Sequence, residues 1–175
     1  IGAGRKIPGR VEAVDPIAGI GGVSVTVSVG DAWPGHEAGQ FAFVSFHAVE
    51  GAHPYTIASH WRNDGRLVFI IKGLGDYTDT LAERLVVGDT AVVEGPYGCF
   101  TFSGGSGRQI WIGGGLGVTP FIARMQAMAC QGSDHSLDFV HTTPPVDGDA
   151  PRALEEAAQG ANDRFAIFVD SRSGI

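Results

Sequence analysis

The hydrophobic period of the sequence changes part-way along the chain, and this change constrains the fold more than any other feature. In the first part, short β-branched runs are separated by turn residues, and Val23, Val25 and Val27 alternate with polar residues. A period of two is typical of a half-buried strand. In the second part, apolar residues over 118–131 recur at helical spacing between strand-like runs. The chain therefore divides into a β-rich part and an α/β part.

The first part predicts six short strands, and turns at this spacing favour a small antiparallel β-barrel. Between the fifth and sixth strands, residues 77–86 predict a helix, because Leu81, Ala82 and Leu85 fall on one face. The predicted strands are 10–14, 22–29, 41–47, 55–59, 67–72 and 90–94.

The second part predicts alternating strands and helices, a pattern that indicates a parallel sheet with helices packed across it. The small-residue run 103–107 is typical of a hinge, so we place the domains at 1–104 and 105–175. We expect the second domain to be incomplete and the chain to be a fragment, since the chain stops directly after a strand-like run. The predicted elements are strands at 109–112, 137–140 and 165–169, with helices over 118–131 and 150–158.

Composition excludes several classes of protein. Hydrophobic residues make up 43% of the chain and charged residues 18%, which excludes an intrinsically disordered protein. A net charge of −7 without a Lys/Arg cluster argues against a nucleic-acid partner. Cys99 and Cys130 lack C-x-x-C spacing, and no histidines pair at i,i+4, so we expect no metal site. The apolar runs are far shorter than the ~20 residues of a membrane-spanning helix.

Residues 113–120, Gly-Gly-Gly-Leu-Gly-Val-Thr-Pro, lie between a strand and a helix and predict a nucleotide-binding turn. Glycines let a phosphate approach the backbone, and the free N–H groups of a helix start attract an anion. We expect the helix to be capped by Thr119. Pro120 stands where the G-x-G-x-x-G fingerprint has its third glycine, so a plain tight turn is the alternative. The candidate binding residues are Gly114, Gly115, Gly117, Val118 and Thr119.

Four motifs, taken in order, carry a resemblance to a known family. They are His53-Pro54-Tyr55-Thr56, residues 72–78, residues 95–100 and the glycine segment 113–120. In order and spacing they resemble the flavin-dependent ferredoxin–NADP reductase superfamily, over nearly the whole chain from Arg10. The first motif is most similar to the ferric reductase and NADPH oxidase branch, where the flavin motif begins His-Pro-aromatic-Thr.

The resemblance implies an FAD site on the barrel. Tyr55 offers a stacking face for the flavin, and Thr56, the expected catalytic residue, hydrogen-bonds the ring nitrogen N5. His53, followed by Pro54, takes the place of the family's arginine near the pyrophosphate. From its residue type alone, His53 would be a strand-end histidine.

Residues 72–78 are implied to hold the FAD pyrophosphate at the start of a helix. Lys72 adds positive charge, and Gly75 with the backbone N–H groups of the residues after it faces the phosphates. Asp76 is also expected to act as a helix N-cap, because its carboxylate would repel phosphates. The implied set is Lys72, Gly75, Asp76, Tyr77 and Thr78.

Ser171 and Arg172 are implied to grip the 2′-phosphate of NADPH, as a Ser-Arg pair does in plant-type members of the superfamily. The alternative is that Arg172 is simply solvated. NADH remains a possible cofactor, because the second strand ends without an acidic residue or an arginine.

The implied function is that of an oxidoreductase, a flavoprotein that takes a hydride from NAD(P)H onto FAD and passes single electrons to an acceptor outside the chain. In the branch named above, that acceptor is haem in a transmembrane domain or ferric iron, and this module lies at the cytoplasmic face. A soluble ferredoxin, flavodoxin or oxygenase reductase is the first alternative. A non-catalytic binding module on the same scaffold is the second. As a fragment, the chain is expected to have weak turnover.

Overall fold

The computed structural model of the chain contains an antiparallel sheet followed by a parallel one. It describes residues 5–17, 22–46, 51–72, 81, 84–102, 107–131, 137–143 and 164–169, the last stretch by its backbone alone. The strands are β1 (Lys6–Ile17), β2 (Gly22–Ser28), β3 (Phe41–Ser45), β4 (His53–Thr56), β5 (Arg66–Lys72), β6 (Thr90–Tyr97), β7 (Gln109–Gly114), β8 (Leu137–Thr143) and β9 (Arg164–Val169), and helix α1 spans Thr119–Gln131.

The first sheet closes on itself. Its strand order is β4-β3-β6-β1-β2-β5, and the paired strands run antiparallel. An antiparallel bridge between Ile57 and Phe69 joins the end of β4 to β5, so the two edge strands of the sheet meet. This closure confirms the predicted six-stranded antiparallel barrel.

The barrel core follows the alternation of the sequence. Val25 lies opposite Phe69 in the register of β2 and β5, and neither side chain has exposed surface. Between the buried valines of β2, Ser24 and Thr26 are partly exposed. Because each fully buried side chain of this kind contributes about 1.5–3 kcal/mol, the period of two specifies which face of the strand points inward.

The second sheet is parallel, in the order β7-β8-β9, and α1 connects β7 to β8. Phe121 and Met125 of α1 pack against Trp111 of β7 and Phe139 of β8. This is the predicted β-α-β arrangement, in which the apolar stripe of the helix covers one face of the sheet.

β4 differs from its predicted range of 55–59. It begins at His53, opposite Val44, and ends at Thr56, opposite Phe41. Pro54 lacks an N–H group, but an edge strand tolerates proline because its outer side needs no ladder partner. The apolar residues Ile57 and Ala58 are buried without continuing β4, and the N–H group of Ala58 donates to Val68 O at 2.8 Å.

The other described strands and helix α1 lie where they are predicted, and only their first or last residues differ. β1 and β6 are longer than predicted, because β1 pairs first with β6 and then with β2, and β6 pairs with β3 as far as Tyr97. In the helix predicted over 77–86, Leu81 and Arg84 are helical and Val86 is not, while most of the remaining positions lie outside the described residues. The hinge positions 103–106 and the helix predicted over 150–158 also lie outside them. The domain boundary at 104/105 stays a prediction.

Candidate functional site

The motif His53-Pro54-Tyr55-Thr56 forms β4, at the edge of the antiparallel sheet. His53 lies opposite Val44 and Tyr55 opposite Ala42, and both of those β3 side chains are fully buried in the barrel. His53 and Tyr55 therefore share the inward face of β4, whereas Thr56 points to the other face. His53, Tyr55 and Thr56 are all half-buried.

The ring of Tyr55 lies at the rim of the barrel core. Its centre is 6.2 Å from that of Phe46 and 6.3 Å from that of Phe69, in tilted arrangements. The hydroxyl oxygen of Tyr55 is buried. One part of the ring thus packs on the core, and the half-buried remainder is the surface on which a planar ligand can stack.

Lys72 ends β5 at the same end of the barrel as His53. β4 and β5 are antiparallel through the bridge between Ile57 and Phe69, so the last residue of β5 lies beside the first residues of β4. His53 and Lys72 therefore lie at one barrel end, but Lys72 follows the buried Ile71 and points away from the core, whereas His53 lies on the inward face of β4. The predicted partners Gly75, Asp76, Tyr77 and Thr78 lie outside the described residues.

The glycine segment leaves β7 through a 3₁₀ turn, Gly115–Val118, and enters α1 directly. Gly115 has φ +51°, a backbone conformation that residues other than glycine rarely adopt. Gly114, Gly115 and Gly117 are exposed, and a Cβ atom built on Gly115 or Gly117 would meet no atom within 4 Å. Internal packing does not require glycine at these two positions, so the open backbone is available to a ligand.

Val118 and Thr119 face the interior instead, with 6% and 4% of their surface exposed. The Thr119 hydroxyl donates to Leu116 O at 2.7 Å, and the Thr119 backbone is helical with φ −52° and ψ −48°. The prediction that Thr119 caps the helix is therefore wrong. Because the 3₁₀ turn runs on into α1, the side chain bonds back to the turn. The Thr119 N–H group donates to the same carbonyl, so both donors of Thr119 are used within the turn.

His141 supports the glycine segment and was not predicted as a site residue. It lies opposite Gly113 in the parallel register, and its Nε2 atom is 3.2 Å from Gly115 O. The imidazole is 7% exposed and lies nearly parallel to the Phe139 ring, at 15°. The signal in the sequence is positional, because the carboxyl ends of neighbouring parallel strands meet at one edge of a sheet.

The barrel and α1 are in contact. The His60 N–H group, four residues after β4, donates to Gln126 Oε1 at 3.1 Å. On the barrel, Gly39 leaves room for the chain at Phe100, since a Cβ atom there would lie 2.0 Å from Phe100 O. Phe100 in turn meets Phe121 of α1 edge to face, with ring centres 6.0 Å apart. The residues after β4 and the helix after the glycine segment are thus tied together.

The described parts of the chain offer neither a metal-binding cluster nor a membrane-spanning helix. Among those residues, no group of three or more His, Cys, Asp or Glu side chains could hold a metal ion. No helix among them is long and apolar enough to cross a bilayer. Ser171 and Arg172 lie outside the described ranges, so their roles stay predictions.

Most of the barrel is similar to a known family of domains. Residues 22–101 match a family described as an FAD-binding domain. This segment of the chain is therefore similar to an FAD-binding domain. The matched segment contains β2 to β6, and therefore both β4 and the end of β5.

Curated relatives extend the similarity beyond residues 22–101. The reductase component of propane 2-monooxygenase from Rhodococcus jostii is 27% identical over 106 residues, which is 59% of this chain and 29% of that protein. A flavohemoprotein from Bordetella pertussis is 26% identical over 166 residues, 83% of this chain and 40% of that protein. The chain thus spans well under half the length of these relatives.

A solved structure shows the same fold. The flavohem-like FAD/NAD-binding domain of nitric oxide dioxygenase from Vibrio cholerae superposes with a TM-score of 0.80 at 16% identity, covering 99% of this chain and 77% of that one. The two-domain fold is therefore as predicted, with a barrel and a partial α/β domain. The ferric reductase and NADPH oxidase branch is not what these comparisons identify.

The donor set at the end of the barrel fits FAD. His53 offers a ring nitrogen, Lys72 offers an ammonium group, Tyr55 offers an aromatic face, and Thr56 offers a hydroxyl group. At the edge of the parallel sheet, the open backbone of Gly115 and Gly117 fits the close approach of a second phosphate-bearing ligand.

Proposed function

We propose that the chain is the FAD-binding and NAD(P)H-binding part of a reductase that supplies electrons to a separate oxygenase or haem protein. The observation that carries the proposal is the contact between the His60 N–H group and Gln126, which ties the segment after the FAD motif to the helix after the glycine segment. Similarity to a monooxygenase reductase component and to flavohemoproteins supports it. Bound FAD supplies the exchange between a two-electron hydride donor and a one-electron acceptor.

The residues of the barrel hold and orient FAD in this proposal. His53 and Lys72 bind the pyrophosphate, together with Gly75, Asp76, Tyr77 and Thr78 by the family resemblance. Tyr55 stacks on the flavin ring, and its own contacts with Phe46 and Phe69 limit the positions its ring can take. Thr56, on the opposite face of β4, would donate a hydrogen bond to the edge of the flavin ring and so help to orient it.

The residues of the α/β part hold the pyridine nucleotide. The backbone at Gly114, Gly115 and Gly117 receives the pyrophosphate without steric conflict, and the first N–H groups of α1 direct positive partial charge toward it. Val118 takes part through its N–H group, and Thr119 holds the turn through its two bonds to Leu116 O. Ser171 and Arg172 remain the proposed contacts to a 2′-phosphate, which would favour NADPH over NADH.

A membrane ferric reductase is the second candidate function. It rests on one observation, the His-Pro-Tyr-Thr form of the FAD motif at residues 53–56. In that case the acceptor is haem in a transmembrane domain, and the module lies at the cytoplasmic face. Apolar spans with paired histidines encoded upstream in the full-length gene would favour this candidate over the oxygenase reductase. Flavin absorbance in the purified protein separates both from a non-catalytic module.

Acceptor reduction tests the proposal as a whole. The full-length protein, loaded with FAD and given NADPH or NADH, is expected to reduce a one-electron acceptor such as ferricyanide, and Thr56→Val is expected to slow hydride transfer while FAD stays bound. Absence of acceptor reduction by the FAD-loaded full-length protein would overturn the proposal.

A further inference from the structure

A pocket of about 350 Å³ lies between the barrel and α1. Three basic side chains are among the described residues that line it: His36 and His60 from barrel loops, and Arg124 from α1. None of the described lining residues is among those proposed to bind FAD or NAD(P)H. The pocket therefore needs an explanation of its own.

Arg124 is the basic group with unused hydrogen-bonding capacity. Its guanidinium carbon lies 5.8 Å from the centre of the Phe102 ring, on which it packs. Its Nε atom is buried and has no hydrogen-bond partner among the described residues. A buried donor without an acceptor is unfavourable, and the planar guanidinium group matches the oxygens of a carboxylate or a phosphate. Because Nε is buried, the terminal nitrogens of the guanidinium group are the donors that an oxyanion in the pocket would contact.

His60 belongs to the barrel and faces α1. Its backbone N–H group is held by Gln126, and its imidazole lines the same pocket as Arg124. Burial lowers the pKa of His60, and the positive charges of Arg62 and Arg124 lower it further. An anion bound between the two side chains would offset that repulsion and favour the imidazolium form.

His36 also lines the pocket, with a neutral imidazole. Trp33 Nε1 donates to its Nδ1 at 3.2 Å, which leaves the proton on Nε2, 2.8 Å from Ser59 O. Both ring nitrogens are therefore occupied by protein groups, and burial lowers the pKa of His36. Glu37 is the acidic residue of the described lining, and it is exposed to solvent. The groups that can bind an anion are thus Arg124 and His60, with Glu37 opposing them.

We propose that this pocket binds a small oxyanion, a phosphate or carboxylate group, between the Arg124 guanidinium and the His60 imidazole. Because Arg124 belongs to α1 and His60 to the barrel, the bound oxyanion bridges the two parts of the molecule. The site does not depend on FAD or pyridine nucleotide, so it stands apart from the proposed function.

The test is an NMR titration of the His60 imidazole in the FAD-loaded chain, with inorganic phosphate compared against chloride at equal ionic strength. Phosphate is expected to raise the pKa of His60 in a saturable manner, whereas chloride is not. Acetate in place of phosphate distinguishes a carboxylate site from a phosphate site. His60→Gln identifies the resonance.

Arg62→Gln is the matched control for Arg124→Gln. Each substitution removes a positive charge that lowers the pKa of His60, but Arg62 is not among the described lining residues. Arg124→Gln is expected to weaken anion affinity about 10- to 100-fold, since it removes a charge-assisted hydrogen bond. Arg62→Gln is expected to keep the saturable response, and Arg124→Lys, which retains the charge, to keep a weaker one.

Two outcomes would overturn the site: responses to phosphate and acetate no larger than the response to chloride, or equal loss of response in Arg62→Gln and Arg124→Gln. Thermal unfolding of each variant is compared with that of the parent, so that loss of binding is read only from folded protein.

Discussion

The Nε2 atom of His141 lies 3.2 Å from the carbonyl oxygen of Gly115, so the second strand of the parallel sheet holds the turn that follows the first strand. Gly115 is the residue of this turn with a left-handed φ of +51°. The imidazole is buried, and with the Nε2–H tautomer it donates to this carbonyl. His141 therefore positions the open backbone proposed to receive the pyridine nucleotide.

Replacing His141 with Phe keeps the stacked ring but removes the donor to Gly115. We expect NADP⁺ binding to weaken about two- to tenfold, the range of one neutral hydrogen bond, with FAD affinity unchanged. His141→Gln, which retains a donor, is expected to recover part of the affinity. Calorimetric titration measures both. Unaltered NADP⁺ affinity in His141→Phe would show that the contact does not matter for the turn.

Gly115 and Gly117 are predicted to respond differently to alanine. At Gly115 the left-handed backbone makes alanine unfavourable by about 1–2 kcal/mol of unfolding free energy. At Gly117 a Cβ atom meets open space, so stability should hardly change while the added methyl group obstructs an approaching phosphate. Urea unfolding and NADP⁺ titration of the two variants separate these effects. Strong destabilisation by Gly117→Ala would contradict the assignment of that glycine to the ligand.

Tyr55→Ala is predicted to weaken FAD binding and also to lower stability. The ring packs against Phe46 and Phe69, so its removal takes contacts from the core rim as well as from the flavin. Aromatic pair geometry contributes about 0.5–1.5 kcal/mol beyond buried area, and we expect an affinity loss of at least that order. Tyr55→Phe, which keeps the ring, is the control. Quenching of FAD fluorescence measures affinity, and full affinity in Tyr55→Ala would remove Tyr55 from the site.

His36 and His60 predict how the stability of the protein depends on pH. Burial lowers the pKa of His36 from 6.5, while the unfolded chain titrates near that value. Below pH about 6.5, His36 binds more protons in the unfolded chain than in the folded protein. The contribution of His36 to the unfolding free energy is therefore complete above about pH 6.5 and is lost as the pH falls toward the folded pKa. His60 acts in the same direction. His36→Gln should flatten the decline in urea unfolding measured across this range, and an unchanged slope would argue against it.

Much of the barrel follows from local pattern. The alternation of β2 predicts its inward face, because turning the strand over would expose its valines to water and bury its polar residues. The bounds of β4 could not be predicted in the same way. They depend on pairing with β3, which is distant in sequence, whereas the apolar residues Ile57 and Ala58 continue the hydrophobic run without continuing the strand.

The candidate site shows the same division. Glycines before a helix predict an open turn from residue type alone, and Gly115 and Gly117 have that role in the structure. The Thr119 side chain is buried and bonded to Leu116 because the 3₁₀ turn merges with α1, which no single-residue preference reveals. His141 and Arg124 acquire their surroundings only when separate segments come together.

FAD binding is the most direct test of the central claim. Purified chain is mixed with excess FAD, separated from free flavin by gel filtration, and its flavin absorbance is compared with its protein content. We expect one tightly held FAD per chain, with quenched flavin fluorescence that Tyr55→Ala diminishes. Folded protein that emerges from the column without flavin absorbance would contradict it.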